Sequence, residues 1–170
     1  ILPNDPNVKI GPAGYGPNGN VSYSQIFNYS VLFTNADSAT ASVQHIVVRD
    51  TIDFDRFDPS TFAHVVLSVG HSYFEIPDHF SLSFQDTLDT RSWNSVFTSI
   101  AFTVDTLTGL AQWDFQALDT LTLGSPDPVL GILPPDTIPP NGSGLISFNL
   151  SLRDSVAHGA IVSNEAAILF

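Results

Sequence analysis

The sequence predicts an all-β protein, an antiparallel sandwich of two packed sheets, and three observations carry that expectation. Apolar and aromatic residues recur with period two in short runs, which places one set on one face of a strand. Clusters rich in Gly, Pro and Asp separate the runs, and no window sustains helical spacing. Of 17 acidic residues only Glu75 and Glu165 are glutamates, and Lys9 is the single lysine, a composition poor in helix formers and rich in turn formers.

The elements follow in chain order. Residues 1–20, with repeated Gly and Pro, read as an opening or interdomain linker lying along the domain. Phe27, Tyr29, Val31 and Phe33 alternate with Asn28, Ser30, Leu32 and Thr34, the clearest strand. Runs at 43–48 and 62–69 are β-branched or aromatic, and the Asp-rich stretch 53–60 between them reads as a loop. Phe80, Leu82 and Phe84 alternate again, followed by strands at 96–104 and 110–115. Turn clusters at 124–128 and 134–144 precede the alternating set Ile146, Phe148, Leu150 and Leu152, and an apolar run at 161–170 closes the chain. At roughly 100–200 residues per domain the whole of 1–170 is read as one domain, with Greek-key connections expected between its sheets.

Composition removes whole function classes. Five basic against 17 acidic residues give a formal charge of -12, so no cationic footprint exists for a phosphate backbone, and nucleic acid is not an expected partner. An anionic bilayer surface repels such a chain and no apolar run is long enough to span one, so membrane insertion is not expected. The absence of Cys excludes disulfides, thiolate metal sites and a cysteine nucleophile. The chain opens at Ile1 without Met, and we expect a mature or excised segment of a longer precursor.

Residues 46–62, IVVRDTIDFDRFDPSTF, resemble a stretch of an extracellular Ig-like β-sandwich module that recurs in surface proteins of the Bacteroidota. Upstream, YSVLFTN at 29–35 and ATASVQ at 39–44 resemble that module's aromatic strand and small-residue turn. DPN at 5–7 and GPAG at 11–14 are similar to its opening, and 144–152 and 159–170 to its closing strands. The middle, 65–133, matches loosely, through 109–113 and the LPP at 133–135. The resemblance implies a secreted protein exported by the type IX system, a structural or adhesive role and no catalytic residues.

A second signal is chemical. Asp, then Ser or Thr, then an aliphatic residue occurs seven times, with the hydroxyl at Ser38, Thr51, Thr87, Thr106, Thr120, Thr137 and Ser155. With 15 Asp, chance predicts about one such triplet. The triplet is similar to the O-glycosylation acceptor of Bacteroidota, and a hydrated glycan needs its hydroxyl at the surface. The plain structural alternative is that Asp-Ser/Thr pairs build side-chain turns at strand ends. Four N-x-S sequons, at Asn20, Asn28, Asn141 and Asn149, are read as unused, Asn28 because a strand interior hides it.

Asp53, Asp55 and Asp58 lie close in sequence, and carboxylate oxygens are what calcium takes several at a time, so they are the metal candidates. The alternative is a solvated acidic turn. His45, His64, His71, His79 and His158 show no zinc spacing, and no nucleophile elbow is present, so no enzyme activity is expected. Trp93 and Trp113, with Tyr23, Tyr29 and Tyr73, form a carbohydrate platform if exposed and core packing if not. The sequence therefore reads as a non-enzymatic, O-glycosylated structural or adhesive module of an extracellular or cell-surface protein or fibre. The alternative is a carbohydrate-binding accessory module of a secreted enzyme. Its expected partners are neighbouring domains, identical subunits and surface glycans; no cofactor is required beyond covalent glycans and the calcium candidate.

Overall fold

The computed structural model describes residues 7–74, 76 and 82–170. Its strands are β1 (Val8–Ile10), β2 (Phe27–Thr34), β3 (His45–Thr51), β4 (Phe57–Val69), β5 (Ser72–Phe74), β6 (Ser83–Asp89), β7 (Phe97–Val104), β8 (Leu110–Leu118), β9 (Ser143–Leu152) and β10 (Ala166–Leu169). One helical turn, α1 (Arg91–Asn94), interrupts the passage from β6 to β7. Two five-stranded sheets, ordered β1-β2-β9-β4-β5 and β10-β3-β8-β7-β6, pack as an antiparallel Ig-like sandwich. In the second sheet β6, β7 and β8 run consecutively, and β3 lies beside β8 after a connection that passes through the other sheet. That order is a Greek key.

The alternation read in β2 and β9 is the sandwich's inner lining. Phe27, Tyr29, Val31 and Phe33 are buried on β2, and Ile146, Phe148 and Leu150 face the same way on β9. From the opposite sheet come Ile46 and Val48 of β3, Ile100 and Phe102 of β7, and Trp113 and Phe115 of β8. Trp113 stacks on Phe102 at 4.8 Å within its sheet and on Phe148 at 5.5 Å across the core. Phe62 of β4 closes the group, 5.2 Å from Phe148 and 5.5 Å from Phe102. Offset aromatic pairs add to the area they bury, so this four-ring stack joins the sheets at their middle.

Several boundaries depart from the periodicity. The opening taken as linker contains β1, which pairs with β2. The loop expected over 53–60 is shorter, because Phe57 is fully buried and pairs with Leu152, drawing the chain into β4. Pro59, which lacks the N–H a ladder needs, falls in a register shift between Asp58 and Ala63. β6 begins at Ser83, with Leu82 exposed in a turn, and Phe80 lies outside the described residues. The closing run is a strand only over β10. Asn28 is exposed on the outer face of β2 rather than hidden, since a strand in a sandwich conceals one side alone.

One glycine position has a measurable requirement. Gly109 ends the β7–β8 turn at φ +77°, where an added Cβ would stand 2.1 Å from the Ile52 carbonyl oxygen. Its own carbonyl accepts the Ile52 N–H at 2.8 Å. Gly109→Ala is expected to lower stability by about 1–3 kcal/mol through left-handed strain plus this clash. A urea midpoint equal to wild type would contradict it.

Candidate functional site

The Asp-Ser/Thr-aliphatic triplets fall in turns and connections, at a strand end or on an edge strand. Ser38, Thr51, Thr87, Thr106, Thr137 and Ser155 are exposed, and Thr120 is half-buried. Thr87 lies on β6, the margin of its sheet. Ser38, Thr106, Thr120 and Ser155 sit in turns, Thr137 in the connection before β9, and Thr51 at the end of β3.

Two triplets are built alike. In Asp105-Thr106-Leu107-Thr108 the Asp105 carboxylate accepts the Leu107 N–H at 2.9 Å and the Thr108 hydroxyl at 2.7 Å. In Asp119-Thr120-Leu121-Thr122 the Asp119 carboxylate accepts the Leu121 N–H at 3.0 Å, the Thr122 N–H at 2.8 Å and the Thr122 hydroxyl at 2.9 Å. These bonds hold both carboxyls below the usual carboxylate range, the Thr108 hydroxyl leading at Asp105 and the Thr122 N–H at Asp119. In both, the aspartate and the second threonine shape the turn; between them Thr106 is exposed and Thr120 half-buried. Asp136 reaches further, closing its connection onto β9 by accepting the Gly142 N–H at 2.9 Å and the Ser143 hydroxyl at 2.8 Å.

Asp53, Asp55 and Asp58 are not gathered into a coordination set. The Asp53 carboxylate accepts from the Arg56 guanidinium and from the Asp55 N–H at 3.0 Å. Asp58 lies in β4 and accepts the Ser60 N–H and hydroxyl at 2.9 and 2.7 Å, which draws its carboxyl down. Among the described residues no three acidic or histidine side chains converge as metal ligands. Local turn bonds and an arginine engage the Asp53 and Asp58 oxygens that the sequence offered to calcium.

The aromatic set divides. Trp113 and Tyr29 are core residues, and burial pushes the Tyr29 phenol up to about 12. Trp93 is partly covered, its indole N–H donating to Ser72 Oγ at 2.9 Å, with His71 edge-on at 6.1 Å. Tyr23 and Tyr73 are 49% and 59% exposed, and the Tyr23 hydroxyl donates to Asp154 at 2.6 Å. His45 donates to Asp114 at 3.0 Å on an exposed face, and His71 to Asn141 at 2.6 Å; His79 lies outside the described residues.

At the end of β6 the Arg91 guanidinium grips Asp89 with both oxygens, at 2.8 and 2.6 Å, while resting 4.7 Å from the Phe97 ring. Its hydrogen bond, foremost, holds the Asp89 carboxyl at about 2. A depressed folded value means that the pair's contribution is present above 3.8 and is lost as pH falls from there through about 2. NMR titration of Asp89 is expected to show that low midpoint, and Arg91→Gln to return it toward 3.8. An unchanged midpoint in the variant would refute the assignment.

One cluster escaped the sequence reading. Lys9 points inward from β1 and forms an ion pair with Asp50 of β3, their side chains 11% and 0% exposed. The Lys9 ammonium sits 4.7 Å over the Tyr29 ring and 5.6 Å over Phe148. Asn164 also faces inward, its side-chain oxygen and nitrogen buried without a partner in hydrogen-bond geometry, as is Asp50 Oδ1. Its amide is nevertheless close enough to Asp50 to draw that carboxyl downward, against a larger upward push from burial.

No family model matches the chain, and no curated protein matches it. Among solved structures the chain is similar to the collagen-binding domain from a Staphylococcus aureus adhesin, at 13% identity and a TM-score of 0.40, over 96% of this chain and 95% of that one.

Proposed function

We propose that the chain is a non-enzymatic structural and adhesive module of an exported bacterial surface protein or extracellular fibre, O-glycosylated on its Asp-Ser/Thr-aliphatic triplets. The observation that carries the reading is the placement of the triplets: six of the seven Ser/Thr residues are exposed, and two triplets sit in turns of the same build. Glycans at those points and a charge of -12 keep the sandwich hydrated, and repeated copies or neighbouring domains supply avidity. The resemblance of 46–62 to the Bacteroidota module supports export by the type IX route. Among the described residues no helix is long and apolar enough to cross a membrane.

Burial of Trp113 and Tyr29 weighs against the carbohydrate-binding alternative, since two of the five aromatics offered as a platform are spent on the core. The test is intact mass of native-source protein with site mapping at the seven hydroxyls. Repeated sugar masses at Thr106 and other exposed acceptors are the expected result. A bare polypeptide mass from the native envelope would overturn it.

A further inference from the structure

Three side chains of unlike chemistry meet in one apolar pocket. Lys9 comes from the first strand, Asp50 from β3, and Asn164 from the segment leading into the last strand. β10 pairs with β3 so that Ala166 lies opposite Asp50, which sets Asn164, two residues earlier, on the same inward face. Lys9 and Ala166 line one hollow, and Asn164 and Tyr29 another. Each of the three carries a penalty. Lysine is rarely buried, the Asp50 Oδ1 atom has no partner, and neither end of the Asn164 amide has one. A single reaction among them relieves all three: an amine, a carboxamide and a carboxyl are the components of amide exchange.

We propose that Lys9 and Asn164 become joined by an intramolecular isopeptide bond that the folded chain makes itself, with Asp50 as its acid–base group. The Lys9 Nζ lone pair attacks the Asn164 Cγ. The protonated Asp50 carboxyl donates to the Asn164 Oδ1 as that oxygen gains negative charge. The proton shed by Nζ passes through Asp50 to the Asn164 nitrogen, the old C–N bond breaks, and ammonia leaves through the cleft lined by Gly11, Tyr29 and Asn164. One C–N bond forms and one breaks, no electron is transferred, and Asp50 ends with its proton. Burial lowers the Lys9 pKa and raises that of Asp50, each opposed by the partner, and both shifts favour the uncharged amine and carboxyl the step requires. Folding supplies the rest by holding nucleophile and carbonyl together, which replaces a bimolecular encounter. The bond stands on this cluster alone and is independent of the surface-module reading.

The test is the intact mass of the purified, folded chain with fragment mapping. The expected result is a mass one ammonia below that of the sequence and a branched peptide pair linking Lys9 to Asn164. Lys9→Arg, Asn164→Ala and Asp50→Asn are each expected to keep the full mass of their sequences, with circular dichroism confirming the fold. An unaltered mass in the folded wild type would overturn the proposal whatever the variants do. So would a loss of water mapped to Lys9 and Asp50, or a loss of ammonia mapped to Asn18 or Asn141, each followed by Gly and therefore prone to succinimide formation. A folded Asp50→Asn variant that still forms the link would remove Asp50 from the mechanism.

Discussion

Lys9→Met is expected to lower the unfolding free energy by at least about 3–5 kcal/mol, because it leaves the Asp50 carboxyl buried with no cation beside it. The double variant Lys9→Met/Asp50→Leu is expected to recover that part, since a buried ion pair replaced by apolar side chains of similar size is near neutral. The deficit of the single variant depends on pH. Asp50 has a raised folded value, from burial foremost, and without Lys9 to oppose it that value rises further. A raised value gives a contribution that is full below the ordinary 3.8 and is lost as pH climbs through the folded value, so the deficit shrinks in acid and grows toward neutrality. A covalent link between Lys9 and Asn164 adds a separate quantity. Closing a loop of about 150 residues is worth about 5 kcal/mol by chain entropy, and the double variant does not recover it. Chemical unfolding of the two variants beside wild type separates the charge from the bond. A single variant as stable as wild type at neutral pH would contradict the burial of Asp50.

Trp113→Ala is expected to cost about 3–5 kcal/mol, the range for emptying a large aromatic site in a packed core. Trp113 is fully buried and holds ring contacts with Phe102 in its own sheet and with Phe62 and Phe148 in the other, so its removal opens a void at the junction of the sheets. Trp93→Ala is the control, because that indole is half-covered and keeps one hydrogen bond, to Ser72. Urea unfolding is expected to rank Trp113→Ala far below Trp93→Ala. Equal midpoints would show that the four-ring stack is not the centre of the core.

What the sequence disclosed depended on which side of each strand met water. In β2 and β9 one face is core and the other solvent, so period two survives in the letters; β2 is legible almost to the residue and β9 from Ile146 on, because Ser143 and Gly144 read as part of the preceding turn cluster. β1 inverts that rule: Val8 and Ile10 are exposed while Lys9 points inward, and a search for buried apolar residues passes over it. The same inversion conceals the buried cluster. Asp50 occupies the inward register shared by Ile46 and Val48, and Asn164 the one shared by Val162, Ala166 and Ile168. A polar residue in an apolar register was the available signal, but composition-weighted periodicity counts it as a break. The Asp-Ser/Thr-aliphatic triplets stand out in the sequence because each is a local pattern, and the turns at Asp105 and Asp119 follow from Asp side chains bonding nearby backbone and Thr side chains. The calcium candidates show the opposite: proximity in sequence placed three carboxylates together, and Arg56 and Ser60 redirected two of them.

The first and last strands are both margins of the sandwich, and they lie on the same side of it. A stretching force entering at one terminus and leaving at the other therefore meets β1 and β10 before any other element. β1 is held to its sheet by three paired residues and β10 by four, the weakest ladders on which such a pull could fall. With Lys9 bonded to Asn164 the tension passes from one end of the chain to the other across that single side-chain bridge. The eight described strands between are then outside the load path, and extension under force stops at the bridge rather than at full unravelling.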